Sequence, residues 1–295
     1  MDPTLKSRIE MTLKGQISHL SPQLRIAAKY VIDRPSDFGL DPIRDTARKA
    51  GVSTYTFVKL SKNIGFSGFE DMRAPFRHAL VSSTNIVNEP EWMKDIRADG
   101  GIGNVYADAA KNTLSIVKSS LERQHIDQLE GIADALFSAK TVYLTAVRSS
   151  YAMAYYLHYV GRMALPTMDL IPRHMNSAID DLSGAGDGDI LIAITVTPYS
   201  RETIEACEFA RKKGVKLLLI TDSEVVFPNF EPDFCLVSSV LSTHQFGCFA
   251  GMLATIEVLI ALLVHKGKSK AQERIESYAE LRKENNAYWV RPKKH

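Results

Sequence analysis

Apolar residues recur at helical spacing up to about Leu80, and the helices are broken by Ser21-Pro22, Pro35 and Pro42, each where a helix starts or stops. Ser21 before Pro22 sets an N-cap with proline at the first helical position. Leu24, Ala27, Ala28, Val31 and Ile32 then form one apolar stripe. Between 104 and 137 the spacing predicts two more helices. Val105, Ala109, Leu114 and Val117 carry the first, and Ile126, Leu129, Ile132, Ala133, Leu136 and Phe137 the second. The period then changes. Strand-like runs at 141–147, 167–171, 189–196, 215–221 and 234–238 alternate with helical segments near 151–162, 176–184, 201–213 and 246–264. Strands apolar on both faces, alternating with helices, predict a parallel sheet covered on two sides.

At 295 residues the chain is long for one core and comfortable for two. The predicted division is an all-helical domain over 1–80, a linker over 81–103, an α/β domain over 104–265 and a C-terminal helix or tail over 266–295. The linker rests on the Asn, Pro, Asp and Gly of 85–103, ending in Asp99-Gly100-Gly101-Ile102-Gly103. In the tail, Ile275, Tyr278 and Leu281 stand at helical spacing, read either as a stripe against a partner subunit or as a solvated end.

Charge sharpens this division. The net charge is only +2, but 1–80 carries +5, 81–265 carries −8 and 266–295 carries +5. A basic end on an acidic protein slightly favours a polyanion as partner. Three widely spaced cysteines, Cys207, Cys235 and Cys248, form no C-x-x-C pair and fit a reducing cytoplasm. No apolar run appears in the first fourteen residues, so neither a secretory signal nor an anchor is expected. The apolar stretch 247–264 carries Glu257 at its middle and reads as a buried core helix, with that glutamate at a subunit interface or cavity wall.

Two places carry candidate chemistry. In 43–62, Ala47 stands where two helices cross closely, Gly51 at the turn and Val52 just after it, with Phe57 and Leu60 facing the core. Ser53 caps the second helix, and Thr54, Tyr55, Thr56, Lys59, Lys62 and Asn63 are its outward positions. In a DNA-reading helix the first residues meet base edges, here Ser53, Thr54, Tyr55 and Thr56, while Lys59 and Lys62 hold phosphates. An ordinary helical hairpin with a solvated polar face remains the plain alternative.

The second place is a pair of strand-to-helix turns, Arg148-Ser149-Ser150 and 195–203 with Thr195, Thr197, Ser200, Arg201 and Thr203. Turns at the carboxyl ends of parallel strands are where ligands bind, and helix starts offer N–H groups to an anion. The hydroxyls add neutral hydrogen bonds, and Arg148 and Arg201 add charge. The plain alternative is that each hydroxyl is an N-cap. His174 and His244 read as acid–base groups or as helix caps, with no carboxylate recognisable beside either. Neither a metal-ligand spacing nor a nucleotide fingerprint is present in the sequence, and no metal, catalytic residue or cofactor is expected.

The run from Leu20-Ser21-Pro22 through Ile43 to Ser53 and on to Gly65-Phe66-Ser67-Gly68-Phe69 resembles the DNA-binding domain of the RpiR/MurR regulators. Tyr55-Thr56-Phe57 departs from the Ala-Thr-Val common there. The α/β part resembles the sugar isomerase (SIS) domain that follows it in those regulators. Ser149-Ser150 match the paired serines, Thr195, Thr197 and Ser200 the second hydroxyl loop, and Ile220-Thr221-Asp222-Ser223 a segment that helps close the pocket. Arg148 and Pro198 stand where many relatives carry glycine.

The resemblance implies a doubly wound, flavodoxin-like SIS domain behind a helix-turn-helix. It implies a cytoplasmic regulator of carbohydrate metabolism rather than an enzyme. Its partners would be double-stranded operator DNA and a phosphorylated sugar or similar anion, in a homodimer or homotetramer, with no membrane. A sugar-phosphate isomerase with an accessory helical domain is the rival reading.

Overall fold

The computed structural model describes residues 5–82, 90–174, 176–227, 230–244 and 246–289. They form two compact units, one of Met1–Glu91 with Ser223–Glu231, the other of Trp92–Asp222 with Pro232–His295.

The first unit holds α1 (Leu5–Gln16), α2 (Pro22–Asp33), α3 (Pro35–Leu40), α4 (Ile43–Ala50), α5 (Thr54–Asn63) and α6 (Phe69–Ser82). Pro22 and Pro35 open their helices, where a missing N–H costs nothing. The core is aromatic. Phe38 packs edge-on against Phe76 at 4.9 Å and Phe69 at 5.3 Å, and Phe57 closes the cluster at 5.9 Å from Phe69. Leu13, Leu60 and Met72 complete it, all fully buried.

The junction between α4 and α5 is set by Gly51, whose φ of 72° is left-handed. Its N–H reaches the Arg48 carbonyl and the Val52 N–H the Ala47 carbonyl, closing α4 in a Schellman motif. Buried Ala47 faces this junction. Ser53 then caps α5, its hydroxyl accepting from the Thr56 N–H at 3.2 Å. Helix, tight turn and capped helix follow as the sequence predicts.

The second unit opens with α7 (Glu91–Ala98), α8 (Gly101–Glu122) and α9 (Ile126–Ser138). In the stretch read as a linker, 83–89 lie outside the described residues, while 81–82 end α6 and 90–103 hold α7 and the start of α8. Gly103 explains the close succession of the two helices, since a Cβ there would meet the Ile96 carbonyl oxygen at 2.1 Å.

Five strands follow, β1 (Val142–Thr145), β2 (Met168–Ile171), β3 (Ile190–Ile194), β4 (Lys216–Thr221) and β5 (Phe234–Val237), with α10 (Ser150–Gly161), α11 (Ala178–Asp181), α12 (Arg201–Lys212) and α13 (Ala250–Glu284). All pairings are parallel in the order β2-β1-β3-β4-β5. The all-buried β3 is what helices on both faces require. The buried Asp189 carboxylate fixes one end of the sheet, accepting from the Thr141 N–H at 3.1 Å and the Gly186 N–H at 3.0 Å.

Helix α13 runs past the predicted end at 264, through a non-helical Lys268, to Glu284. By length and composition alone it could cross a membrane, yet Met252, Ile256, Leu259 and Leu263 lie in the core beside β1 and β3. Gly251 lets it pass close to α8, where a Cβ would strike Ser120 Oγ at 2.3 Å. Glu257 is not buried within its own chain, which rules out the wall of an internal cavity. It is exposed on the same side as Leu253 and accepts a hydrogen bond from the Tyr156 hydroxyl. Ile275 and Tyr278 are half-buried, and Arg274 ties this continuation to its own unit through the Met163 and Ala164 carbonyls at 2.7 and 2.8 Å. Residues 290–295 of the predicted tail lie outside the described residues.

Candidate functional site

Ser53, Thr54, Tyr55, Lys59, Lys62 and Asn63 are exposed on α5, Tyr55 by 72%. Thr56 is not: it is 8% exposed, and its hydroxyl lies 2.9 Å from Ser53 Oγ. The helical period explains the correction, because 56, 57, 60 and 61 share the inward face. Thr56 therefore belongs to the cap. Lys49 is tied to Asp41 at 2.6 Å and Arg48 to Asp45 at 2.7 Å. Among the described residues no carboxylate pairs with Lys59 or Lys62. The outcome is a solvated, cationic helix face with its hydroxyls at the amino end.

In the second unit the chain leaves β1 outward to β2 and returns to β3 on the other side of β1. Neighbouring turns then diverge beyond the carboxyl ends of β1 and β3, the switch point of an open parallel sheet. Arg148-Ser149-Ser150 follows β1, and Thr195 to Ser200 follows β3.

Arg148 adopts a left-handed φ of 55°, a region that favours glycine. Its guanidinium crosses to the second turn. Nη1 donates to Ser200 Oγ at 2.9 Å and to Glu202 Oε2 at 3.0 Å, while Nη2 donates to Glu202 Oε1 at 3.0 Å. Ser200 Oγ donates in turn to Glu202 Oε2 at 2.7 Å. Ser149 and Ser200 are the N-cap residues of α10 and α12, yet neither side chain caps its helix.

The remaining expected residues divide. Buried Thr195 accepts the Ser200 N–H at 3.3 Å, and the exposed Thr197 donates its N–H to Asp222 Oδ1 at 3.2 Å. Ser150 is 6% exposed, and Thr203 lies buried with its hydroxyl unpartnered. Arg201 does not join Arg148; it turns along α12 to Glu205 at 2.7 Å. Ser223, expected to help close the pocket, belongs to the first unit, with its hydroxyl 2.6 Å from Lys29 Nζ. His174 and His244 are exposed, the latter with Nδ1 3.2 Å from Ser242 Oγ.

Sequence reasoning missed Glu202. An acidic residue in the first turn of a helix is a common answer to the helix dipole, so it carries no site signal by itself. Arg148 and Ser200 hold its carboxyl well below the usual range, at about 2. The Glu202 carboxyl carbon shift in NMR should titrate near pH 2, and in Arg148→Gln it should return toward the ordinary glutamate range. Because the folded pKa is depressed, any stabilisation from this pair is present above the unfolded carboxyl's pKa and fades as pH falls toward 2. Titration alongside the other glutamates would contradict the pairing.

Residues 135–264 match the family model of the SIS domain, so the α/β unit is a SIS domain. The bifunctional protein glk of Paraburkholderia xenovorans is 26% identical over 205 residues, 69% of this chain but only 31% of that protein. The chain thus spans about a third of the length of that relative. The HTH-type transcriptional regulator HexR of Escherichia coli is 23% identical over 72% of this chain and 71% of its own length. The solved structure of Vibrio vulnificus NanR, complexed with ManNAc-6P, has a TM-score of 0.55 at 19% identity and covers 93% of this chain and 97% of that one. Its fold is therefore shared across both units.

Proposed function

We propose that this SIS-domain chain, organised like the RpiR/MurR regulators, is a cytoplasmic DNA-binding transcription regulator of carbohydrate metabolism. A phosphorylated sugar or related small anion, held at the switch point of its SIS domain, modulates its affinity for operator DNA. The observation that carries this reading is the exposed, unpaired cationic face of α5 behind the Gly51 turn, in a chain whose other unit is a SIS domain. HexR, similar along most of both chains, is named a transcriptional regulator, and NanR was solved with a sugar phosphate.

In this reading α5 lies in the major groove, with Ser53, Thr54 and Tyr55 at base edges and Lys59, Lys62 and Asn63 along the backbone. The chain acts as a homodimer or homotetramer, because two reading helices must stand about one helical turn apart. The effector needs to prefer one arrangement by only about 1–3 kcal/mol to change occupancy usefully. Its anion meets Arg148, Ser149, Ser150 and Ser200, with Thr195 and Thr197 shaping the loop.

Isomerisation would need a general base at a substrate carbon. The carboxylates found at these loops are already engaged, Glu202 by Arg148 and Asp222 by the Thr197 N–H. Band shifts on the promoter of the chain's own operon, with and without sugar phosphates, test the proposal. Sequence-specific retardation that a sugar phosphate shifts is expected; none at moderate salt rejects it.

A further inference from the structure

Arg148 is the one cation that the two switch-point turns share, and the chain itself already occupies it. Two parallel 3.0 Å bonds join its guanidinium to the Glu202 carboxylate. This is the fork geometry by which arginine also takes a phosphate. The Ser200 hydroxyl, which would serve a bound oxyanion, is spent on the same pair, accepting from Arg148 and donating to Glu202. An anion reaching Arg148 therefore meets a carboxylate in its place.

Resting on the reading of this crevice as the effector site, we propose that Glu202 is a built-in competitor. It holds Arg148 until an incoming phosphomonoester displaces it, and so it lowers the affinity of the crevice for every anion and leaves it to ligands that bind Arg148 strongly. A free monocarboxylate would only exchange one carboxylate for another, and the tethered one has the higher effective concentration. A phosphomonoester brings close to two negative charges and three acceptor oxygens. One edge can engage the guanidinium while the remaining oxygen meets the uncapped Ser149 at the start of α10. Displaced Glu202 stays nearby and opposes the newcomer. With side chains 66% and 57% exposed, the Arg148–Glu202 pair is well screened, so the effect is a matter of several-fold changes in affinity.

The test is calorimetric titration of inorganic phosphate and of acetate, at constant ionic strength, into the full-length wild type, Glu202→Gln and Arg148→Gln. Circular dichroism checks that each variant keeps its helix content. Glu202→Gln should bind phosphate roughly three- to fivefold more tightly, and acetate more tightly as well. Phosphate binding unchanged or weakened in Glu202→Gln, but lost in Arg148→Gln, overturns the competitor role and leaves the crevice as an anion site. No saturable heat in any of the three proteins removes both the anion-site reading and the competitor.

Discussion

Replacing Phe57 by alanine should destabilise the first unit by about 3–5 kcal/mol, the usual cost of emptying a large aromatic site in a packed core. The ring is fully buried and touches Tyr30, Phe38 and Phe69. It lies between α5 and the rest of its unit, so no surface water can fill its place without desolvated contacts being lost. A domain's whole stability is about 5–15 kcal/mol, so the variant should populate an unfolded first unit under mild conditions. Urea unfolding of the full-length protein checks this, with Phe57→Leu expected to lose much less. An unfolding midpoint unmoved by the alanine change would mean that this aromatic cluster does not hold the unit together. Its burial also turns Thr54, Tyr55 and Lys59 outward.

Much of the fold could be read from hydrophobic period alone. Five strands and their intervening helices were legible because strands apolar on both faces contrast with the striped helices around them. Their ends were less so. The run 141–147 predicts a longer strand than Val142–Thr145, since Ala146 stays buried after its ladder has ended. Helix α7 was hidden in a stretch whose glycines and aspartates read as linker.

The Gly51 turn was legible because one residue type is required at a positive φ, whereas Thr56 was misplaced by its polarity. A hydroxyl at the third helical position serves a cap as well as a surface. Glu257 was read as a possible cavity-wall residue for the opposite reason. Its neighbours in sequence are apolar all round, so period does not show that its own side faces outward. At the switch point, Arg148 and Ser200 were picked out as candidate anion ligands by type, and the structure brings the two together. Arg201, of the same type, follows its own helix to Glu205 instead. The pairing of Arg148 with Glu202 joins turns 54 residues apart and depends on strand order, which no local pattern encodes.

The claim that α5 lies on DNA meets its most direct test at Lys59. A lysine that neutralises a backbone phosphate releases a counterion, so its loss changes both affinity and the response to salt. Lys59 is exposed, and no carboxylate among the described residues pairs with it, so its substitution disturbs little else. The measurement is fluorescence anisotropy of the operator fragment across a salt series, for wild type, Lys59→Gln and Lys59→Glu. Lys59→Gln should reduce the slope of log affinity against log salt by about 1. Lys59→Glu, which adds repulsion, should weaken binding on the order of tenfold or more at 0.1 M salt. Affinity and slope unchanged in both variants would contradict the placement of this helix on DNA and the regulator with it.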